Sequence, residues 1–284
     1  IKPLHDLPEH LCFDEFKSVK SSDSNMSFII CDSTTHKLVD VVRDRKSYSL
    51  KKYFHRFEPK TRLKVKTISI DMYLPYIQLI KEMFPNAKII IDPFHIVQAL
   101  NRELNRTRVR VMNKHRYKDS KLYRKLKHYW KLILKNSNEL QNYKYNRYKL
   151  FESFITSKGI VDYILEKNPS LKNDYEVVHS LRECIQDRDY IEFKETIEAA
   201  TQLDLSPGLK RVLKTLMTYL PYIQNTCEYP TRTNGPIEGI NNKIKVLKRN
   251  AYGFRNYYHF RNRIILITKM FGPKQKGIKQ QLVA

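Results

Sequence analysis

The chain has 284 residues, 41% of them hydrophobic, so it can fold around a sizeable core and wholesale disorder is excluded. Its 53 Lys and Arg residues against 29 Asp and Glu residues leave a net charge of +24, which indicates a polyanionic partner. No run approaches the ~20 apolar residues of a membrane-spanning helix, so nucleic acid is favoured over a membrane. Four scattered cysteines without a Cys-x-x-Cys pair argue against a zinc site and a disulfide framework.

Strands and helices alternate over the first 98 residues. Short β-rich runs predict five strands, and apolar residues at helical spacing predict two helices. Asp32 to Thr35 is predicted to form a hairpin turn between the second and third strands. The apolar fifth strand indicates a buried position at the centre of a sheet. The predicted strands are 10–16, 26–31, 37–42, 65–70 and 88–91, and the predicted helices are 48–57 and 74–84.

The strand pattern disappears between Ile96 and about Tyr229. Apolar residues at helical spacing predict a helical insertion of roughly 130 residues, with Trp130 in its core. Residues 101–150 carry sixteen Lys or Arg and three acids, interleaved with aromatic residues. This charge predicts contacts with DNA phosphates, and the alternative is a solvated basic face with tyrosines packing the helices. The arginines expected to contact DNA are Arg106, Arg108 and Arg110.

Residues 230–236 are predicted to form a loop before the last helix, which Thr233 or Asn234 caps and Gly253 ends. Its apolar stripe is flanked by a polar face that carries Glu238 and Asn242. No acid follows Glu238, whereas eleven Lys or Arg do. We expect DNA contacts at Lys243, Lys245, Lys248 and Arg249, extended by Arg255, Arg261 and Arg263, and a mobile tail from Gly272.

Three aspartates stand at or near the ends of predicted strands: Asp14, Asp71 and Asp92. Sites in open α/β sheets form outside the carboxyl ends of strands. Phosphoryl transfer in nucleases uses two hard cations, and hard cations prefer oxygen ligands. Two aspartates at strand ends and a carboxylate on a later helix would supply those ligands.

Other acidic residues and one histidine are open to a structural interpretation. Glu15 alternates to the face of its strand opposite Asp14, so we expect it outside the site. Asp32, Asp40 and Asp44 lie in or beside the hairpin and are expected to serve turns or salt bridges. His95, in the first turn of a helix, is either a structural histidine or a site residue.

Two short acidic motifs and one longer segment of the sequence are distinctive. The run Phe13-Asp14-Glu15-Phe16 and the run Asp92-Pro93-Phe94-His95 resemble, respectively, the first-aspartate strand and the Asp-x-Phe-His segment of the ISL3 family of bacterial insertion-sequence transposases. The most specific match is to the helix that carries the family's last glutamate. It runs from Thr233 through Glu238 to Lys245 and continues with Lys248-Arg249 and Tyr252-Gly253-Phe254.

The resemblance implies a catalytic triad of Asp14, Asp71 and Glu238 that binds two Mg²⁺ ions, with Mn²⁺ as a substitute. It leaves the second aspartate open: Asp71 is favoured as the metal ligand, and Asp92 with His95 fits a supporting motif. Asn234 and Asn242 are expected to support the site as well. The implied fold is α/β, a ribonuclease-H-like mixed sheet with flanking helices and a large all-helical insertion before the last catalytic helix.

The implied organisation is a first catalytic part (1–98), a basic helical insertion (99–230) and a final catalytic helix with a basic C-terminal segment (231–284). The implied function is metal-dependent DNA strand cleavage and strand transfer at insertion-sequence ends, in the bacterial cytoplasm at the nucleoid. The implied partners are transposon-end and target DNA and a homodimer or higher synaptic assembly, without a membrane. Such transposases carry an upstream cysteine-rich zinc element and a helix-turn-helix domain, which this sequence lacks. Since it begins with Ile, we expect a fragment, and the alternative is a truncated, non-catalytic DNA-binding remnant.

Overall fold

The computed structural model describes residues 5–22 and 24–270. The chain divides into two compact units, Ile1–Asp92 with Tyr229–Ala284, and Pro93–Glu228. The predicted boundary at 98/99 differs from the observed one because one continuous helix begins at Pro93. The tail from Gly272, expected to be mobile, lies outside the described residues. None of the described helices is both long and apolar enough to cross a membrane.

The first unit contains a five-stranded mixed sheet in the order β3-β2-β1-β4-β5. Strands β1, β4 and β5 are parallel, whereas β2 runs antiparallel to both of its neighbours. All five predicted strands are confirmed within a few residues. They are β1 His10–Lys17, β2 Met26–Asp32, β3 Leu38–Val42, β4 Thr67–Ile70 and β5 Lys88–Ile91.

Helices cover both faces of this sheet, as the alternation along β1 requires. Phe13 faces an aromatic cluster in which its ring lies 5.0 Å from Phe28 and 5.6 Å from Phe54, centroid to centroid. Cys12 and Phe16 point the other way, into a core built with Ile237 and other residues of the two C-terminal helices. The helices of this unit are α1 Ser47–Phe54, α2 Pro59–Leu63, α3 Leu74–Met83, α11 Gly235–Asn250 and α12 Tyr257–Met270.

The prediction for β5 is half right. Ile89, Ile90 and Ile91 are all buried, but β5 is the last strand of the sheet and pairs only with β4 among the described strands. An apolar run shows that both faces of a strand are covered, and it does not show how many neighbours the strand has. Helix α12 was not predicted.

The second unit is built around the 22-residue helix α4, which packs against α5, α6, α8 and α10. Pro169 and Pro207 open two of its helices, where the missing N–H of proline costs no hydrogen bond. The unit contains α4 Pro93–Lys114, α5 Ser120–His128, α6 Trp130–Leu134, α7 Ser157–Glu166, α8 Pro169–Asp187, α9 Tyr190–Ala200 and α10 Pro207–Glu228.

Two expectations for this unit are wrong. It is not all-helical, because Asn146–Arg147 (β6) and Phe154–Ile155 (β7) form a small antiparallel pair. Trp130 is 40% exposed rather than in the core. The helical pattern is interrupted at Tyr129, which ends α5 with φ −97° and ψ 21° and is itself buried. The break rotates the following residue outwards.

Candidate functional site

The three aspartates identified from the sequence lie at the same level of three neighbouring parallel strands. Asp14 lies inside β1, which continues to Lys17, whereas Asp71 and Asp92 directly follow β4 and β5. Cys12 pairs with Ser69 across β1 and β4, so two further residues along each strand place Asp14 beside Asp71. Ile70 pairs with Ile91 across β4 and β5, so the next residues are Asp71 and Asp92. The backbone N–H of Asp92 donates to the Ile70 carbonyl at 2.9 Å, which continues that ladder. The register therefore aligns all three carboxylates along one edge.

Asp71 and Asp92 lie close together. An oxygen of one lies within 4.8 Å of an oxygen of the other. Asp92 is buried, with 5% of its surface exposed, whereas Asp14 and Asp71 are half-buried and face the edge of the sheet. His95 is half-buried and lies in the first turn of α4, in the second unit.

The segment before α11 is hydrogen-bonded to side chains of β1 and β4. The Cys12 thiol donates to the carbonyl of Thr233 at 3.3 Å, and the Ser69 hydroxyl donates to the carbonyl of Arg232 at 3.1 Å. The Arg232 guanidinium donates to the hydroxyl of Thr34 at 2.8 Å. These bonds fix where α11 begins relative to the three aspartates.

Asn234 is the first site residue that this segment supplies. Its amide nitrogen donates to the Phe13 carbonyl at 3.2 Å and to Asp71 Oδ1 at 3.1 Å. Asn234 occupies the N-cap position of α11, as expected, but its side chain makes no capping bond. A capping side chain stabilises a helix by ~1 kcal/mol. Asn234 does not make that capping bond. Its side chain instead joins β1, and the residue that follows β4, to the start of α11.

Asn241 is the second residue, and the sequence analysis missed it. Its amide nitrogen donates to Asp14 Oδ2 at 2.7 Å. The expected supporting residue, Asn242, is exposed on α11, four residues after Glu238 and on the same side of the helix. The spacing of residues in α11 could have identified Asn241. It lies four residues after Ile237 and three before Ile244, inside the apolar stripe, where a polar residue needs a partner.

Glu238, the expected third carboxylate, lies in the first turn of α11 and is exposed. It precedes Asn241 by three residues, so both lie on the same side of the helix. Within residues 5–22 and 24–270, the trio Asp14, Asp71 and Glu238 does not bring its ligand atoms within 4.8 Å of one another. The structure thus gathers Asp14, Asp71 and Asp92 at the sheet edge and places Glu238 on the helix that borders it.

The remaining acidic residues follow their structural interpretation. Glu15 faces away from Asp14, accepts from Arg45 Nη1 at 2.7 Å, and accepts from the Tyr76 hydroxyl at 3.0 Å. The Asp32 side chain closes the hairpin turn by accepting from the backbone of Thr34 and Thr35. Asp40 pairs with Arg261, and Asp44 accepts from the hydroxyl of Ser49 at 2.9 Å.

Three basic residues expected to contact DNA are used inside the fold. Arg108 is buried and donates to the Leu126 carbonyl at 2.8 Å, and burial lowers its pKa, so this prediction is wrong. The Lys248 ammonium donates to the carbonyls of Lys17 and Ser18 at 2.9 and 3.0 Å, where burial also lowers its pKa. Arg261 pairs with Asp40. Charge counting alone could not separate these residues from exposed ones.

The other basic residues of the expected path are exposed. Arg106 holds the buried carboxylate of Glu103 while most of its own side chain faces solvent. Their positive charge lies on the surface of their own unit, where a polyanion can reach it. In the second unit these residues are Arg106 and Arg110, and in the first they are Lys243, Lys245, Arg249, Arg255 and Arg263.

The donor atoms at the sheet edge suit a hard cation. They are carboxylate and amide oxygens, which Mg²⁺ and Mn²⁺ prefer. The nearby thiols do not compete as ligands, because burial raises the pKa of Cys12 to about 12 and the pKa of Cys31 well above its ordinary value. The amide oxygens of Asn234 and Asn241 are buried and have no hydrogen-bond partner among the described residues. Such atoms are usually satisfied by water or an ion.

Comparison with known proteins gives two partial relatives. "Transposase for insertion sequence element IS1001" of Bordetella parapertussis is 28% identical over 257 residues, which are 89% of this chain and 59% of that protein. A Lactococcus lactis subsp. lactis protein named "ATP-dependent protease" is 37% identical over 121 residues, 43% of this chain and 38% of that protein. The chain therefore spans less than two thirds of either relative's length. No solved structure matches it.

The name of the Lactococcus protein is not carried over, since the seven glycines of this chain form no Gly-x₄-Gly-Lys loop for ATP phosphates. A family model described as "Transposase", that of the ISL3 group of DDE transposases, matches residues 11–264. This range covers most of the chain and contains Asp14, Asp71, Asp92 and Glu238. The chain belongs to the ISL3 family of DDE transposases.

Proposed function

We propose that this chain is the catalytic part of a transposase that cuts DNA at insertion-sequence ends and transfers the cut strand to target DNA. Asp14, Asp71 and Glu238 are the proposed ligands of two Mg²⁺ ions, for which Mn²⁺ can substitute. The observation that carries the proposal is the register that aligns Asp14 with Asp71 and Asp71 with Asp92 at one sheet edge.

The topology supports a ribonuclease-H-like fold. A β-meander of three antiparallel strands is followed by two strands parallel to the first, in the order β3-β2-β1-β4-β5. The helix that carries Glu238 packs against β1 and β2, on the sheet face to which Asp14 points. A long insertion, Pro93–Glu228, separates the last strand from this helix.

The chain's own residues hold the carboxylates in place for the reaction. Asn241 donates to Asp14, and Asn234 donates to Asp71, so both acids are oriented before DNA arrives. When bound, the two cations would activate the attacking oxygen and stabilise the leaving oxygen. Glu238 is exposed in the first turn of α11 and would complete the ligand set from that helix. No side chain needs to form a covalent bond to DNA, so no serine or tyrosine nucleophile is assigned.

Positive charge surrounds the proposed site. Lys243 and Lys245 follow Glu238 on α11, and Arg249 lies one turn further along. No acid follows Glu238 in the sequence, so the C-terminal segment itself supplies no counter-charge to these residues. DNA phosphates would neutralise these cations and release their counterions. Two DNA ends must meet for transposition, and we therefore propose a homodimer or a higher synaptic assembly.

The alternative of a non-catalytic remnant is less well supported. The family match extends from residue 11 to residue 264 and includes every proposed ligand. The carboxylates are also held by specific hydrogen bonds, which DNA binding alone does not need.

The test is a calorimetric Mn²⁺ titration of the chain with a short DNA duplex present, paired with a strand-cleavage assay. Asp71→Asn is expected to lose saturable Mn²⁺ binding and to reduce cleavage by on the order of 10³-fold, since several kcal/mol of transition-state stabilisation are removed. Asp162→Asn, the same chemical change at an exposed residue of the second unit, is the control and should behave as wild type.

Asp92→Asn decides between the two candidates for the second ligand. Loss of Mn²⁺ binding in Asp92→Asn, with normal binding in Asp71→Asn, would exchange their roles. Saturable Mn²⁺ binding that survives both substitutions would refute the proposed site. Absence of Mn²⁺ binding and cleavage in the wild type, with duplex still bound, would support the remnant.

A further inference from the structure

Asn241 combines two properties that no other described residue of α11 shares. It donates a short hydrogen bond, 2.7 Å, to Asp14 Oδ2, and its own amide oxygen is buried without a hydrogen-bond partner. The orientation of the amide is set by chemistry. A carboxylate only accepts hydrogen bonds, so the amide nitrogen must face Asp14 and the oxygen must be the atom left over.

A buried acceptor without a partner is destabilising, because no hydrogen bond replaces the one that water would make to it. Helix α11 nevertheless places an asparagine in its apolar stripe, between Ile237, Ile240 and Ile244, which are buried. A leucine there would satisfy the packing of the stripe without that cost. Holding Asp14 explains the amide nitrogen, but it does not explain the unsatisfied oxygen.

We propose that the amide oxygen of Asn241 is a neutral ligand, direct or through one water, of the divalent cation that Asp14 binds. Amide oxygens are accepted ligands of hard divalent cations, and they add no charge to a site that already has two or three carboxylates. Asn241 thereby links the cation to α11, the helix that carries Glu238. This inference rests on the proposed function, because it assumes the cation at Asp14.

Asn234 provides an internal comparison. Its nitrogen donates to both the Phe13 carbonyl and Asp71 Oδ1, so its orientation is also determined, and its oxygen is likewise unpartnered. Two amides, one bonded to each aspartate, thus keep buried oxygens without a partner among the described residues. Asn241 is the better residue to test, because Asn234 also links β1 to the residue after β4 and its substitution would disturb the sheet.

The experiment measures the Mn²⁺ dissociation constant of the full chain by electron paramagnetic resonance of free Mn²⁺, together with the Mn²⁺-induced rise in Tm. Asn241→Ala is expected to weaken Mn²⁺ binding by 10- to 100-fold, the usual effect of losing a group that supports a metal ligand. Asn241→Asp keeps an oxygen at the same place and is expected to bind Mn²⁺ at least as tightly as wild type. Asn250→Ala, at an exposed asparagine at the end of the same helix, is the matched control and should change nothing.

Asn241→Asp separates a ligand from a residue that only positions Asp14. The aspartate cannot donate to Asp14 and repels it, so a purely positioning role predicts weaker Mn²⁺ binding in Asn241→Asp than in Asn241→Ala. That order, or wild-type affinity in Asn241→Ala, would overturn the inference. If Asp14→Asn also binds Mn²⁺ as wild type does, the proposed function itself fails at this residue. If Asp14→Asn loses Mn²⁺ binding and the Asn241 variants do not, the proposed function is supported and the proposed role of Asn241 is refuted.

Discussion

The two units both bury acidic side chains, but they satisfy them differently. In the second unit, Asp174 is fully buried and its two oxygens accept from the Thr107 hydroxyl at 2.7 Å and the Ser206 backbone N–H at 2.9 Å. The Thr107 hydroxyl also lies 3.0 Å from that of Ser206. This network joins α4, α8 and the start of α10, and every member of it has a partner.

In the first unit, Asp14 and Asp71 are half-buried, and the amides that hold them keep unsatisfied oxygens. A closed network rigidifies a fold, whereas a partly satisfied one destabilises it unless something else completes it. The comparison teaches that a buried aspartate is not in itself evidence of a site. A candidate site is distinguished by polar groups that lie close together and still lack hydrogen-bond partners.

The largest expected effect comes from opening the closed network. Asp174→Ala leaves the Ser206 N–H without an acceptor, removes the 2.7 Å acceptor of the Thr107 hydroxyl and creates a cavity, so we expect a loss of about 3–5 kcal/mol in the free energy of unfolding. Asp71→Asn, at the incomplete site, should change stability by less than about 1 kcal/mol. Urea unfolding of both variants measures the difference. Equal losses would show that Asp71 is as structural as Asp174.

The second prediction concerns pH and the buried His179 of the second unit. Burial lowers the pKa of His179 from 6.5 to about 4, while its ring donates to the Ile133 carbonyl at 3.2 Å. Between these pH values His179 is therefore protonated in the unfolded chain and neutral in the folded chain. Stability should fall by up to about 3 kcal/mol as the pH drops from 7 to 4, and no further below that.

The measurement for His179 is urea unfolding at pH 7 and pH 5, compared between wild type and His179→Gln. The glutamine can still donate to Ile133 but does not titrate, so its stability should depend less on pH. Carboxylates titrate equally in both proteins and cancel in the comparison. A pH dependence that is identical in the two would place the proton-linked loss elsewhere in the fold.

The strands of the first unit could be predicted from the sequence, whereas the burial and the partners of individual side chains could not. Short runs of alternating or apolar residues located every strand of the five-stranded sheet, and the aspartates at or near the predicted strand ends marked the edge of the site, because both features depend on local spacing. Trp130 was misplaced because a break at Tyr129 changes the helical phase, which periodicity assumes to be constant. Arg108 was misplaced because composition reports charge without burial. The spacing in α11 marks Asn241 as a polar residue within an apolar stripe, but its partner Asp14 is 227 positions away, so the sequence could not show which residue it binds.

The third prediction separates basic residues of the surface from those of the interior. Replacing Lys245 and Arg249 together by Ala should weaken DNA binding by about tenfold and reduce the salt slope by about 2, without lowering Tm. Arg108→Ala should lower Tm, because the Leu126 carbonyl loses its buried donor, and should leave the salt slope unchanged. Fluorescence anisotropy at several salt concentrations and thermal unfolding give both quantities. A salt slope that falls only in Arg108→Ala would reverse the assignment.

The smallest expected effect tests whether the glycine in the first turns of α11 leaves space for DNA at the expense of helix stability. Gly239 follows Glu238 in the helix, and a Cβ at this position would meet nothing within 4 Å. Gly239→Ala should therefore stabilise the chain by about 0.5–1 kcal/mol, because alanine loses less backbone entropy in a helix. Gly253→Ala is the control of opposite sign, since φ is +96° at Gly253 and alanine is strained there. If Gly239→Ala raises Tm and lowers DNA affinity, the missing side chain is space for DNA beside Glu238. If Tm and affinity both stay level or rise, the glycine has no such role, and DNA must reach the carboxylates from another side of α11.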